Sequence, residues 1–139
     1  MMAASQSLRL ETAQAEANHA EAKRKVEELK RQYDAHEWAA LADFAEKSRA
    51  IDAKFERQIA SVAAQLQPSL CESIEGALRE KKDMEIDLLQ QAHQEQTNAQ
   101  RKDYDAQKCI YDDELFKAIT ALITAGVSKL HWLVTDLHR

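Results

Sequence analysis

Two glycines and a single proline in 139 residues leave almost none of the residues that turn a chain back on itself. A sheet protein needs such turns between its strands, so a β architecture is excluded at the outset. Aromatic residues are also scarce, at 6%, and with many alanines in their place a compact monomeric core is not expected. No window reaches 18 uncharged apolar residues, so no segment is expected to span a bilayer. There is no excess of positive charge: 19 Lys and Arg stand against 24 Asp and Glu, a net charge of −5. A nucleic-acid binder would carry a basic face, and none is expected here. The same balance argues against a strongly anionic membrane partner. The two cysteines, Cys71 and Cys109, lie far apart without a CxxC spacing, so they read as ordinary thiols of a reducing compartment. The opening residues Met1 to Ser7 lack the charged-then-apolar pattern of a secretory signal. A cytoplasmic protein, with cytoskeletal association as one setting, is the expectation that follows.

What remains is helical. Charged residues make up 31% of the chain, helix formers dominate, and the apolar pattern has a helical period. Between Ala22 and Leu66 the period is unusually regular. Ala22, Tyr33, Phe44, Phe55 and Leu66 recur every eleven positions, flanked by Val26, Ser48 and Ile59 on one side and Leu29, Ala40, Ile51 and Val62 on the other. Glu37 is the one polar interruption carrying charge. Three positions per eleven residues is a period of about 3.67, close to the 3.6 of an α-helix, so one face stays apolar with little supercoiling. Such a face must be covered.

Pro68 ends the first helix, because proline disfavours helical backbone in the residue before it and has no amide to donate. The tetrapeptide Ser69-Leu70-Cys71-Glu72 has the form of a capping box, which predicts a second helix starting there. Pro68 also lies at mid-chain. The fold expected is therefore all-α, a long antiparallel helical hairpin or coiled coil pairing positions whose numbers add to about 137. The expected segments are a flexible lead over 1–7, a first long helix over 8–67, a second over 69–112 and an amphipathic C-terminal docking helix over 113–139. A single rod kinked at Pro68 is the rival. Near the bend, Ile59, Val62 and Leu66 are expected to face Leu70, Ile74 and Leu78.

Two stretches are expected to look outward to partners. Residues 90–108 are nearly all polar, with Ala92, Ala99 and Ala106 spaced seven apart plus Tyr104, and they lie opposite Tyr33, Trp38, Leu41 and Phe44. A row of alanines covers those rings poorly, since it buries about a third of what leucines would. Trp38, Leu41 and Phe44 are therefore expected to contact another chain, unless Trp38 lies flat on the second helix. In the last stretch, Leu115, Phe116, Ile119, Leu122, Ile123, Val127, Leu130, Leu133, Val134 and Leu137 fall within an arc of about 140°, with Gly126 among them. The facing N-terminal arm offers mostly alanines plus Leu8 and Leu10, too little to cover this face. Phe116, Ile119, Ile123, Val127, Leu130, Val134 and Leu137 are the contact residues expected there, and Trp132 marks a second surface.

Signals of chemistry are few. There is no glycine-rich phosphate loop, no HExxH and no nucleophile elbow. Glu16-x-x-His19 matches half of the pattern that places two di-iron ligands on one helix face, but no second copy exists, so no metal or cofactor is expected. His131 and His138, seven apart, border the apolar stripe and read as polar flank. Cys71 follows a helix start, where a thiol pKa can fall, yet a small buried residue at the bend is the plainer reading. The basic run Lys23-Arg24-Lys25, interleaved with Glu21, Glu27 and Glu28, reads as a solvated face with local ion pairs. Taken together these features predict a non-catalytic structural or adaptor subunit that assembles with other helical chains, of its own kind or another. The alternative is a membrane-surface or membrane-complex stalk docking through the last helix.

Overall fold

The computed structural model describes the backbone of residues 2–137, with side chains described for all of these except 2–5, 128, 129, 132, 133, 136 and 137. Two helices account for it, α1 (Met2–Gln65) and α2 (Pro68–Leu137), joined only by Leu66 and Gln67. They pack against each other antiparallel, so the all-α expectation holds and the chain folds back at the bend, where the rival reading had a kinked rod. Helix α1 begins at Met2, so residues 2–7, expected as a flexible lead, are helical. Helix α2 runs without a break through Asp113. Tertiary contacts divide the molecule into a bend unit, Asp34–Lys102, and a terminal unit made of Met1–Tyr33 with Asp103–Arg139.

In the bend unit the turn is built differently from the expected capping box. The amides of Leu70 and Cys71 both donate to the Gln67 carbonyl, at 3.0 and 2.9 Å. Gln67 is thus the N-cap and Pro68 the first helical residue, a position for which its fixed φ is suited and where its missing amide would be unpaired anyway. That start places Ser69 inside the first turn with nothing left to cap. On the other strand of the turn, the Leu66 amide donates to the Val62 carbonyl at 3.1 Å. The Cys71 thiol lies within hydrogen-bonding distance of the Leu66 carbonyl, at 3.3 Å, a group at the end of α1 that a helix by itself leaves short of a partner, and of the Val62 carbonyl, at 3.5 Å.

The seam of the bend unit follows the eleven-residue rows. Ala40 and Phe55 are buried, and Phe44, Ser48, Ile51, Ile59 and Val62 are half-buried. Phe55 is 0% exposed, the most deeply placed side chain among the described residues, with Lys54 Nζ 5.0 Å from its ring centre. The expected register is met where Phe44 lies on His93, ring centres 4.7 Å apart, a pair whose numbers add to 137. Across from α1, the inward positions of α2 are Cys71, Glu75, Leu78, Lys82, Ile86, Leu89, His93, Thr97 and Gln100. They step by four, three and four residues, so α2 carries the same eleven-residue spacing in a largely polar form. The alanine row expected to face α1 is not the one that does: Ala92 and Ala99 are exposed, while His93, Thr97 and Gln100 face inward. An alanine every seven residues drifts about 20° per repeat around a helix, whereas the row continuing from Leu78, Lys82 and Leu89 keeps the phase of α1. Packing is looser at the bend itself than expected, since Leu66, Leu70 and Ile74 are exposed and Cys71 holds the inward place.

Polar groups hold this seam in register. Lys82 Nζ lies 2.9 Å from Asp52 and 4.0 Å from Glu56, and Lys54 lies 3.2 Å from Glu85. The hydrogen bond that Lys82 donates to Asp52 raises the Lys82 pKa above its ordinary value, and the charges of Asp52 and Glu56 add to it against the opposing effect of burial. Thr97 donates to the His93 carbonyl. The Gln100 side-chain oxygen is buried without a hydrogen-bond partner among the described residues, so this end of the unit gains little from its polar layer.

The terminal unit packs around alanine. Leu8, Thr12, Ala15, His19, Ala22, Val26, Leu29 and Tyr33 of α1 turn inward, against Tyr104, Tyr111, Leu115, Ala118, Leu122 and Ala125 of α2. Ala15, Ala22 and Ala118 are the buried residues, and small side chains let the two backbones approach while removing little apolar surface from water. Tyr33 stacks on Tyr104, ring centres 4.3 Å apart and planes at 20°, again a pair adding to 137. Lys25 reaches Glu114 at 3.7 Å. As the interleaved charges predicted, Arg24 pairs with Glu21 at 2.7 Å and Arg31 with Glu28 at 2.5 Å along α1.

Candidate interaction surface

The apolar arc of the C-terminal segment is split by the fold. Leu115 and Leu122 turn toward α1 and are half-buried. Phe116, Ile119, Ile123, Val127, Leu130 and Val134 stay exposed, Phe116 at 67%. Their positions lie about 100–180° around α2 from the buried Ala118, on the side away from α1. Two helices have one seam between them, so an arc of this width cannot be satisfied by α1 alone. The side chains of Trp132, Leu133 and Leu137 fall outside the described residues, as does His138 altogether. His131 is exposed.

Eleven consecutive residues of this stretch, between Lys117 and Lys129, are uncharged. Between Ala118 and Ser128 the sequence AITALITAGVS contains no ionisable residue. Thr120 donates its hydroxyl to the Phe116 carbonyl and Thr124 to the Thr120 carbonyl, each at 2.9 Å. Thr135 does the same to His131 at 2.9 Å. Each hydroxyl proton is thus spent within the helix, and covering these threonines would strand no donor. Lys117, at the start of the row, is paired with Asp113 at 3.0 Å. Gly126 sits in the middle of the row, and a Cβ built there meets nothing within 4 Å. Glycine inside a helix costs about 1 kcal/mol relative to alanine, and the packing of this chain on itself gives no return for it.

The residues expected in the first arm divide as well. Trp38 is 72% exposed and does not lie flat on α2, and Leu41 beside it is half-exposed. Phe44 turns inward against His93. Met84, Leu88, Leu10 and Ile110 are exposed without having been anticipated. They sit out of phase with the inward rows, and counting phase along α2 from Leu78 would have found the first two.

Among the described residues no three His, Cys, Asp or Glu side chains come together in a way that could hold a metal ion. Glu16 is exposed and His19 half-buried in the alanine seam. Both cysteines are free thiols, Cys109 exposed and Cys71 engaged at the bend. No described helix is long and apolar enough to cross a membrane. Comparison of the chain with protein-family models, with curated proteins and with solved structures found no match.

Proposed function

We propose that the chain is a non-catalytic structural or adaptor subunit that assembles with helical chains through the outer face of α2. The observation that carries this reading is the continuous exposed row from Phe116 to Val134, apolar along its length and uncharged at its centre. Isolated apolar residues are ordinary on a protein surface, whereas a contiguous row of six marks a contact. Trp38 and Leu41 supply a smaller second contact of the kind that anchors interfaces, a large aromatic beside an aliphatic side chain. Binding energy comes from these apolar rows, and the charged faces of both helices set register and partner choice. The setting that fits this reading is cytoplasmic, including cytoskeletal assemblies.

The test is replacement of Ile123 and Leu130 by Asp, followed by purification of the complexes that form in the native cell. The variant is expected to lose the helical chains that co-purify with the wild type while the bend unit keeps its helicity by circular dichroism. Unchanged co-purification would overturn the assignment. Flotation of the wild-type chain with lipid vesicles, abolished in the variant, would move the row to a membrane-surface role.

A further inference from the structure

We infer that the outer row of α2 is covered by a second copy of this chain, the two α2 segments crossing antiparallel about a two-fold axis near Gly126. The inference rests on the assembly reading above and names its partner. Three observations carry it, all within the terminal unit.

The first is the symmetry of the row. Phe116 and Val134 are equidistant from position 125, and so are Ile123 and Val127, while Ile119 and Leu130 are so to within one residue. A two-fold contact requires that if residue i touches j, then j touches i. An axis at this point sets Phe116 of one copy against Val134 of the other, Ile119 against Leu130 and Ile123 against Val127. The largest side chain of the row then meets one of its smallest, which is how facing helices interdigitate.

The second is the room at the centre. Gly126 is exposed, with nothing within 4 Å of the place a Cβ would take, and large side chains stand on both sides of it. A backbone can approach most closely where a glycine leaves the surface open, and on a two-fold axis that gap is presented by both copies at once. Nothing in the chain's own fold uses this gap.

The third is area and charge. Six side chains of this size, exposed by about a third to two-thirds, offer ~600 Å² per copy, and the flanking threonine methyl groups bring the patch toward the ~800 Å² per partner typical of a stable interface. Two copies of a charged face would set like charges opposite each other. Here residues 118–128 carry none, Lys117 before them is already paired with Asp113, and Lys129 follows them directly. The pairing would bring four helices together, α1 and α2 from each copy, and would enclose the threonines without stranding a hydroxyl proton.

The experiment uses the full chain with Cys71 and Cys109 replaced by Ser, carrying either Gly126→Cys or Val134→Cys. Two cysteines can join only when their Cα atoms come within about 7 Å, which an axis near residue 126 allows for Gly126→Cys and an antiparallel crossing denies to Val134→Cys. Light scattering of the unmodified chain is expected to give about twice its 15.8 kDa. Under mild oxidation with glutathione disulfide most of the Gly126→Cys chain should become a disulfide-linked dimer, at least about tenfold faster than Val134→Cys. The milder variant Val127→Lys should return the mass to that of a monomer with helicity intact, which separates loss of contact from loss of fold. A monomeric unmodified chain overturns the inference, and so does equal linking of the two cysteine variants. If the chain alone is monomeric while Ile123→Asp/Leu130→Asp still strips chains from the native complex, the second copy is wrong and the assembly reading stands. If that double variant changes neither mass nor complex, both fall.

Discussion

Phe55 is where a single side chain matters most. It is fully enclosed, and the other buried side chains among the described residues are alanines, so truncation opens the largest gap that one substitution can make in the seam. Phe55→Ala is expected to cost about 3–5 kcal/mol, read from the urea midpoint of helicity, and a loss below about 1 kcal/mol would mean the seam closes over the gap. Lys82 acts through charge. Because its pKa is raised by Asp52 and Glu56, the pairing contributes fully below the ordinary lysine value of 10.5 and is lost as pH rises through the raised value. The difference in melting temperature between the wild type and Lys82→Gln should therefore be constant from neutral pH to about 10.5 and be lost as pH rises through the raised value. A difference that persists in strong alkali would place the role of Lys82 in its aliphatic stem. Glu21 and Glu28 show the opposite sign. Hydrogen bonds from Arg24 and Arg31 lower their pKa values, so what they contribute is present above the usual carboxylate value and is lost on acidification.

At the level of the element, the helix starts and the seam phases carry the fold. With Gln67 as N-cap and Pro68 as first helical residue, Ser69 is an ordinary first-turn residue. Ser69→Ala should leave the urea midpoint within about 0.5 kcal/mol, where a true serine cap would cost about 1 kcal/mol. A larger loss would restore the capping box. The seam of α2 shows why the sequence was harder to read on that side. Apolar occupants made the eleven-residue rows of α1 visible, while α2 fills the matching row with Cys71, Lys82 and His93 in the bend unit and with Tyr104 and Leu115 in the terminal unit. Hydropathy passes over a lysine or histidine in such a place. Only the charges across from Lys82, and the ring across from His93, reveal that those positions face inward. The expected alanine row failed for the same reason, since spacing by seven resembles a seam until its phase is compared with the residues before it.

For the molecule as a whole, the question is how much apolar surface each unit leaves in water. The bend unit gains Phe44, Phe55, Ile51, Ile59 and Val62 at its seam, while the terminal unit gains chiefly alanines and leaves a row of six larger side chains outside. If a second chain covers that row, folding and association are linked, and stability must rise with concentration. The melting temperature of the wild type is expected to climb by several degrees for a hundredfold increase in chain concentration, and that of Ile123→Asp/Leu130→Asp to stay constant. A wild type whose melting temperature ignores concentration would show that self-association adds nothing to its stability.

The sequence by itself determined the fold class, the place of the interruption, and the register that a hairpin bent there would have. A near absence of glycine leaves only helices, one proline leaves only one interruption, and a bend at Pro68 pairs positions adding to about 137, met by Tyr33 on Tyr104 and Phe44 on His93. These follow from backbone geometry, which local residues control. The tertiary structure alone decided which side of α2 faces in. A residue's phase depends on the partner helix, and neighbouring positions differ by only about 100° of rotation. So Phe44 went to the seam while Trp38 stayed outside, His93 displaced Ala92, and the broad C-terminal arc was divided between Leu115 and Leu122 within and Phe116 to Val134 without.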